Sequence, residues 1–163
     1  MKRLGKNSVI IIGCLCIIIA GGLFVYNKYL TMRNYKNAKR IYKEAKKLIP
    51  PIYMSGVKGD PVVEDYAITA VVSSKHMHCV ISQDHALPYY KHKMLVIPDY
   101  LKSDLFSLRT GEVITVKSAS GKTTRYKVTD HDWIPYKNMT RVGLTMYNRI
   151  HNYCYFVSAK KIS

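Results

Sequence analysis

Hydrophobic and polar positions follow three different rhythms along the chain. From Ser8 to Tyr26, SVIIIGCLCIIIAGGLFVY, nineteen residues pass without a charge. At 1.5 Å per residue such a helix is roughly 28 Å long, about the thickness of a bilayer core. From Thr31 to Ile49 the rhythm is helical. Tyr35, Ala38, Ile41 with Tyr42, Ala45 and Leu48 with Ile49 recur at three- and four-residue steps, which predicts one apolar face. Pro50-Pro51 ends that helix, because proline cannot extend the hydrogen-bond ladder and disfavours the α region in the residue before it.

Beyond Pro51 the rhythm shortens to that of strands. Tyr66–Val72, His78–Ile81 and Met94–Ile97 are short apolar runs, the last closed by Pro98. Gly111–Lys117 and Thr123–Thr129 alternate on either side of Ser118-Ala119-Ser120-Gly121-Lys122, which predicts a β-hairpin. Val142–Met146 and Tyr153–Ala159 complete the set. Between Pro98 and Leu108 a helical turn would face Leu101, Leu105, Phe106 and Leu108 inward. Six or seven short strands with turns between them predict a mainly β fold, a small antiparallel barrel or sandwich. Trp133 is expected in a polar loop after the hairpin. The predicted organisation is a basic head (1–7), a transmembrane signal-anchor (8–27), a basic helical stalk (28–50) and a β-rich globular domain (51–163).

Signal-peptide processing is the alternative to an anchor. Ala20-Gly21-Gly22 imitates a cleavage site, but the apolar run continues through Leu23-Phe24-Val25-Tyr26, longer than the usual apolar region of a cleaved signal. Ile11-Ile12-Gly13-Cys14 has the form of a lipidation box, yet too few apolar residues precede it. Cys14 and Cys16 therefore read as small apolar residues within the membrane.

Charge sharpens this picture. The chain holds 26 Lys and Arg against 10 Asp and Glu, a net charge of +16. Eight basic residues and one acid lie between Asn27 and Ile49, whereas the part after Pro50 holds fifteen basic and nine acidic residues, net +6. The surplus beside the span suits a basic helix on anionic lipid, or a solvated stalk. Counted as loop charges, those eight cations argue for a cytoplasmic C-terminal part. Lys2, Arg3 and Lys6 before a first apolar segment have the form of an export signal, and on that ground the domain is expected outside the cell. The expected partners are membrane lipid, an anionic wall polymer or another membrane protein. Nucleic acid is disfavoured by the anchor and by the modest charge of the domain.

Candidate chemistry is concentrated in HMHCVISQDH, residues 76–85. Zinc needs three or four converging N, S or O ligands. On a strand His76 and His78 would share a face and Cys79 would oppose it, with His85 and His92 approaching from loops. No CxxC or HExxH is present, and neither a metal nor a cofactor is expected. A cysteine nucleophile needs a base or cation nearby to form thiolate. Cys79 or Cys154 could meet His85, His131 or His151, or the two cysteines could instead form a disulfide. The loop Asp130-His131-Asp132-Trp133 offers carboxylates, which work as acid and base only when their environments differ. Asp-rich turns are more often structural. The catalytic candidates are thus His85, Asp130, Asp132 and Cys154.

The stretch FSLRTGEVITVKSASGKTTRYKV, with LTM and YFVSAKKI further on, resembles a sortase over residues 80–162. Sortases are membrane-anchored transpeptidases of Gram-positive surfaces, built on a closed β-barrel. The resemblance implies a histidine after an apolar strand, which Val80-Ile81-Ser82-Gln83-Asp84-His85 would supply. It also implies a nucleophilic cysteine right after a Leu-Thr-Leu-like strand and an arginine on the next strand. Here Leu144-Thr145-Met146 runs into Tyr147-Asn148-Arg149 without a cysteine, and no arginine follows Cys154. The glycine-led strand pair ending at Asp130 is also similar to small double-psi barrels of wall-lytic proteins, though the Asp-Leu pair usual there is missing. That likeness would make Asp130 or Asp132 catalytic. The sequence thus points to a membrane-anchored envelope protein with a binding or structural role. A sortase-like transpeptidase or an Asp-dependent wall hydrolase is the alternative.

Overall fold

The computed structural model describes residues 6–50, 59–135 and 143–162. The chain divides into two compact units, Met1–Asn34 and Tyr35–Ser163. Helix α1, Lys6–Leu48, contributes to both.

The first unit is the apolar part of α1. An 18-residue window reaches a mean hydropathy of 2.8 with none of it buried by protein, and the helix is long and apolar enough to cross a membrane. Ile17, Ile18 and Phe24 project outward with no core to join. An apolar helix exposed all round is suited to lipid.

The second unit is a nine-stranded sheet with the last turns of α1 packed on it. The strands are β1 (Val62–Val63), β2 (Tyr66–Ser73), β3 (His78–Ser82), β4 (Tyr89–Lys91), β5 (Met94–Val96), β6 (Val113–Ser118), β7 (Thr123–Pro135), β8 (Leu144–Ile150) and β9 (Tyr153–Lys161). A 3₁₀ turn (Asp99–Leu101) and α2 (Lys102–Phe106) join β5 to β6. The order is β1-β2-β6-β7-β9-β8-β5-β4, with β3 also on β2. Cys79 and Ile81 of β3 meet Leu95 of β5 in one core cluster with Val128, Met146 and Val157. Strands far apart in the order thus close on one interior, as in a barrel rather than a sandwich. The sheet is mixed: β5 runs parallel to β8, pairing Leu95 with Met146 and Val96 with Tyr147. The expected all-antiparallel pairing fails there because the 3₁₀ turn, α2 and the hairpin intervene, long enough for a crossover.

Alternation explains why β2 and β3 are buried on both faces. Val72, Cys79 and Ile81 point into the barrel, while Val71 and Val80 point to the opposite face. There they meet Ala38, Ile41, Tyr42, Ala45 and Ile49 of the chain that leads into the sheet. The predicted apolar face is present, apart from Leu48, which is exposed. That face is covered by the sheet. Apolar helix surface and apolar strand surface cover one another, and the globular unit therefore begins at Tyr35 rather than after Pro50. Lys39 anchors the same face: its Nζ is 2.7 Å from Asp104 Oδ2 and donates to the His78 carbonyl at 3.3 Å.

The hairpin predicted at Ser118–Lys122 is β6–β7. Its second strand runs further than expected, so Asp130-His131-Asp132-Trp133 is strand, not loop, paired along β9 after an irregularity between Val128 and Asp130. Trp133 lies against Phe106 and Tyr155, with ring centroids 5.6 and 5.4 Å away. Leu101, Leu105 and Leu108 turn inward as predicted, while Phe106 is partly exposed within that ring cluster.

Candidate functional site

The parallel pair places the carboxyl ends of β5 and β8 side by side. Ile97 N–H donates to the Tyr147 carbonyl at 2.7 Å. One residue on, Asn148 is buried and its Nδ2 donates to the Ile97 carbonyl (2.8 Å) and to Asp99 Oδ1 (3.0 Å). Its Oδ1 is buried without a partner among the described residues. Arg149 follows and stands directly opposite Cys154 across the β8–β9 pair. Its Nε donates to the His151 carbonyl at 3.0 Å, across a tight turn in which His151 takes φ +56°. Alternation thus sets Asn148, with Asp99, on one face of β8 and Arg149, with Cys154, on the other.

Cys154 is fully buried and packs with Met94 and Tyr147, flanked by Val96 and Phe156. Burial pushes its thiol up, against the pull of the Arg149 guanidinium. The thiolate is the reactive form, so this environment holds the sulfur as a poor nucleophile at neutral pH. Cys79 is more extreme: burial in the barrel core pushes its thiol up to about 12. Both are free thiols, in different core clusters.

The other candidates are dispersed. His85 is exposed in the β3–β4 connection, edge-on to Tyr89 with centroids 4.1 Å apart. No hydrogen bond, ion pair or ring contact joins it to Cys154, Asp130 or Asp132 among the described residues. Asp130 and Asp132 are exposed on β7, and each accepts the backbone N–H of the next residue, at 2.9 and 2.6 Å. His131 lies 3.3 Å from Thr110 Oγ1 and near the Tyr155 ring.

The histidines of the 76–85 stretch also separate. The strand begins at His78, so His76 does not share its face. His76 Nδ1 sits 2.8 Å from Glu112 Oε2 and its N–H donates to the same carboxylate. His78 stacks on Tyr42, centroids 5.3 Å apart, and its Nδ1 is buried without a partner among the described residues. His92 takes φ +52° in the β4–β5 turn. Among the described residues no three His, Cys, Asp or Glu side chains are grouped to hold a metal ion.

No protein-family model matches the chain, and no curated protein does. Solved structures match through their shape. A lid mutant of sortase A from Corynebacterium diphtheriae superposes with TM-score 0.52 at 12% identity, covering 83% of this chain and 95% of that one. Sortase A from the same organism gives 0.51 at 9% identity, covering 88% and 95%. The fold is sortase-like. At such identity the likeness concerns the fold, and residue roles must come from this chain's own geometry.

Sequence reading singled out neither Asp99 nor Asn148 as a candidate. The signal was present in Met94–Ile97, an apolar strand closed by Pro98 and followed at once by a carboxylate. What hid it was the parallel pairing of β5 with β8, which no local pattern announces. His85 drew attention because it too follows an apolar strand, but that strand, β3, pairs with β2 and not with β8.

Proposed function

We propose that this chain is a single-pass cell-envelope protein whose extracytoplasmic sortase-like domain serves a binding role instead of cysteine transpeptidation. Its partners are the lipid around the apolar part of α1 and an envelope component met by the domain. The observation that carries this reading is the placement of the residues along β8 and of His85. A cysteine transpeptidase needs thiol, base and cation within reach of one another. The strand that the resemblance would end in a nucleophile runs through Tyr147-Asn148-Arg149 without a cysteine, and His85, the histidine it would pair with, lies exposed in the β3–β4 connection beside Tyr89. Asp99 accepts from a buried amide rather than facing a thiol. The apolar helix supports the anchor, since it is long and apolar enough to cross a membrane.

The test is complementation in the producing cell. Cys154→Ala, His85→Ala and Asp132→Ala should each restore the phenotype of a deletion strain, with folding checked by Trp133 fluorescence. A folded Cys154→Ala variant that behaves like the deletion would overturn the binding reading.

A second reading rests on one observation, the register that sets Arg149 opposite Cys154. Cation and thiol would then have exchanged strands relative to the sortase arrangement. That reading requires the buried thiol to become exposed and ionised in a state with substrate bound.

A further inference from the structure

Where the end of α1 meets the sheet, the globular unit carries two adjoining cavities of about 470 and 290 Å³, which share Tyr42, Lys46, Ser73 and Thr115 on their walls. The larger adds Lys75 and Arg125, and the smaller adds Lys47 and Lys117. Among the described residues no Asp or Glu lines either one. None of these five cations forms an ion pair among the described residues, whereas Lys39 and Arg40 on the same helix are paired with Asp104 and Glu64.

The placement follows from strand register. Ser73 of β2 pairs with Thr115 of β6, and Thr115 pairs with Arg125 of β7, so one rung across three strands carries two hydroxyls and a guanidinium. Two residues along, Val71 pairs with Lys117 and Lys117 with Thr123, which puts a second cation on the same face. Lys46 and Lys47 stand in the last turn of α1, where cations complement the helix dipole. His78 also lines the larger cavity. Its buried Nδ1 has no partner among the described residues, and burial together with Lys39 and Lys46 holds its imidazole below the usual range. A neutral ring can present an N–H donor there without adding charge.

Several like charges around a concave surface raise the local concentration of counter-ions. Guanidinium, ammonium and hydroxyl donors together match phosphate oxygens better than a single carboxylate. We propose that this cleft is a binding site for a phosphate ester, with Arg125 and Lys75 as its principal ligands and Ser73 and Thr115 as hydroxyl donors. The phosphate would come from a lipid headgroup or from a free phosphate ester. This deepens the binding reading above and rests on it for its biological use.

The experiment uses the full chain in nanodiscs. In phosphatidylcholine discs, pyrophosphate should raise the unfolding midpoint followed by Trp133 fluorescence. Lys75→Gln with Arg125→Gln should weaken that response at least tenfold in pyrophosphate concentration. Lys91→Gln with Lys93→Gln, which removes equal charge at the β4–β5 turn, away from both cavity linings, should leave it intact. In discs containing phosphatidylglycerol, a headgroup ligand would occupy the cleft, so wild type should gain stability over the Lys75/Arg125 variant and respond less to pyrophosphate. A free ester as the source would give the first result without the second. The proposal falls if neither disc shows a response that depends on Lys75 and Arg125, or if the control pair weakens it equally. The binding reading falls separately: a folded Cys154→Ala variant that fails to complement removes it even if the cleft takes phosphate.

Discussion

Ile41→Ala tests whether the last turns of α1 belong to the domain core. Ile41 is 1% exposed and packs among Ala45, Ile68, Val71 and Val80. The substitution removes three carbons, each worth about 0.8 kcal/mol when buried, or about 2.5 kcal/mol in transfer alone. The space left between a helix and a paired strand cannot collapse fully, which brings the expected loss to about 3–4 kcal/mol. Leu48→Ala is the control, since Leu48 is 56% exposed and should cost no more than about 0.5 kcal/mol. The assay is urea unfolding of the full chain in mild detergent, with Trp133, the only tryptophan, as reporter. Near-equal effects of the two substitutions, or a loss below about 1 kcal/mol at Ile41, would restore the helix to the role of a spacer and refute this packing.

Three further outcomes follow from named contacts. Asp104→Ala should cost about 1–3 kcal/mol in the same unfolding assay, because it strips the acceptor from a half-buried Lys39 and from the Tyr35 hydroxyl. Burial alone would raise the Glu112 carboxyl, but bonds from His76, Ser74 and the Arg109 N–H outweigh it and hold the group below its ordinary value. Glu112 therefore contributes stability that is complete above the unfolded carboxylate range and lost as pH falls through the lower folded value, and Glu112→Gln should flatten that acid limb in denaturation followed from pH 7 to 3. Gly143 takes φ +57° and an added Cβ would run into the Ala159 carbonyl, so Gly143→Ala should cost more than about 2 kcal/mol, whereas Gly59→Ala, also at positive φ but in open space, should cost about 1 kcal/mol.

Much of this molecule was legible in its pattern of side chains. The charge-free run from Ser8, the helical face from Tyr35 and the alternation on both sides of Gly121 each answer to a local rule, and each element forms. What covers the helical face was not legible: Ala38, Ile41 and Ala45 have the same spacing whether they meet lipid, solvent or Val71 and Val80. The extent of β7 was hidden by composition, because Asp130-His131-Asp132 has the residues of a turn but pairs along β9. Candidate chemistry suffered most. His76, His78 and His85 are close in sequence, yet one faces Glu112, one stacks on Tyr42 and one lies beside Tyr89. The cleft gathers Lys46, Lys75 and Arg125 from three distant segments through strand register and helix docking, neither of which a sequence window contains.

Whether the fold works without a reactive cysteine is decided by thiol alkylation of the native full chain, read residue by residue by mass spectrometry. Folded protein in nanodiscs is exposed to a small alkylating reagent at pH 7 and then at pH 9. The binding reading predicts that Cys79 and Cys154 stay unmodified at both values and react only after denaturation. Rapid modification of Cys154 in the native state at pH 7 would show an accessible thiolate beside Arg149, and would contradict the account.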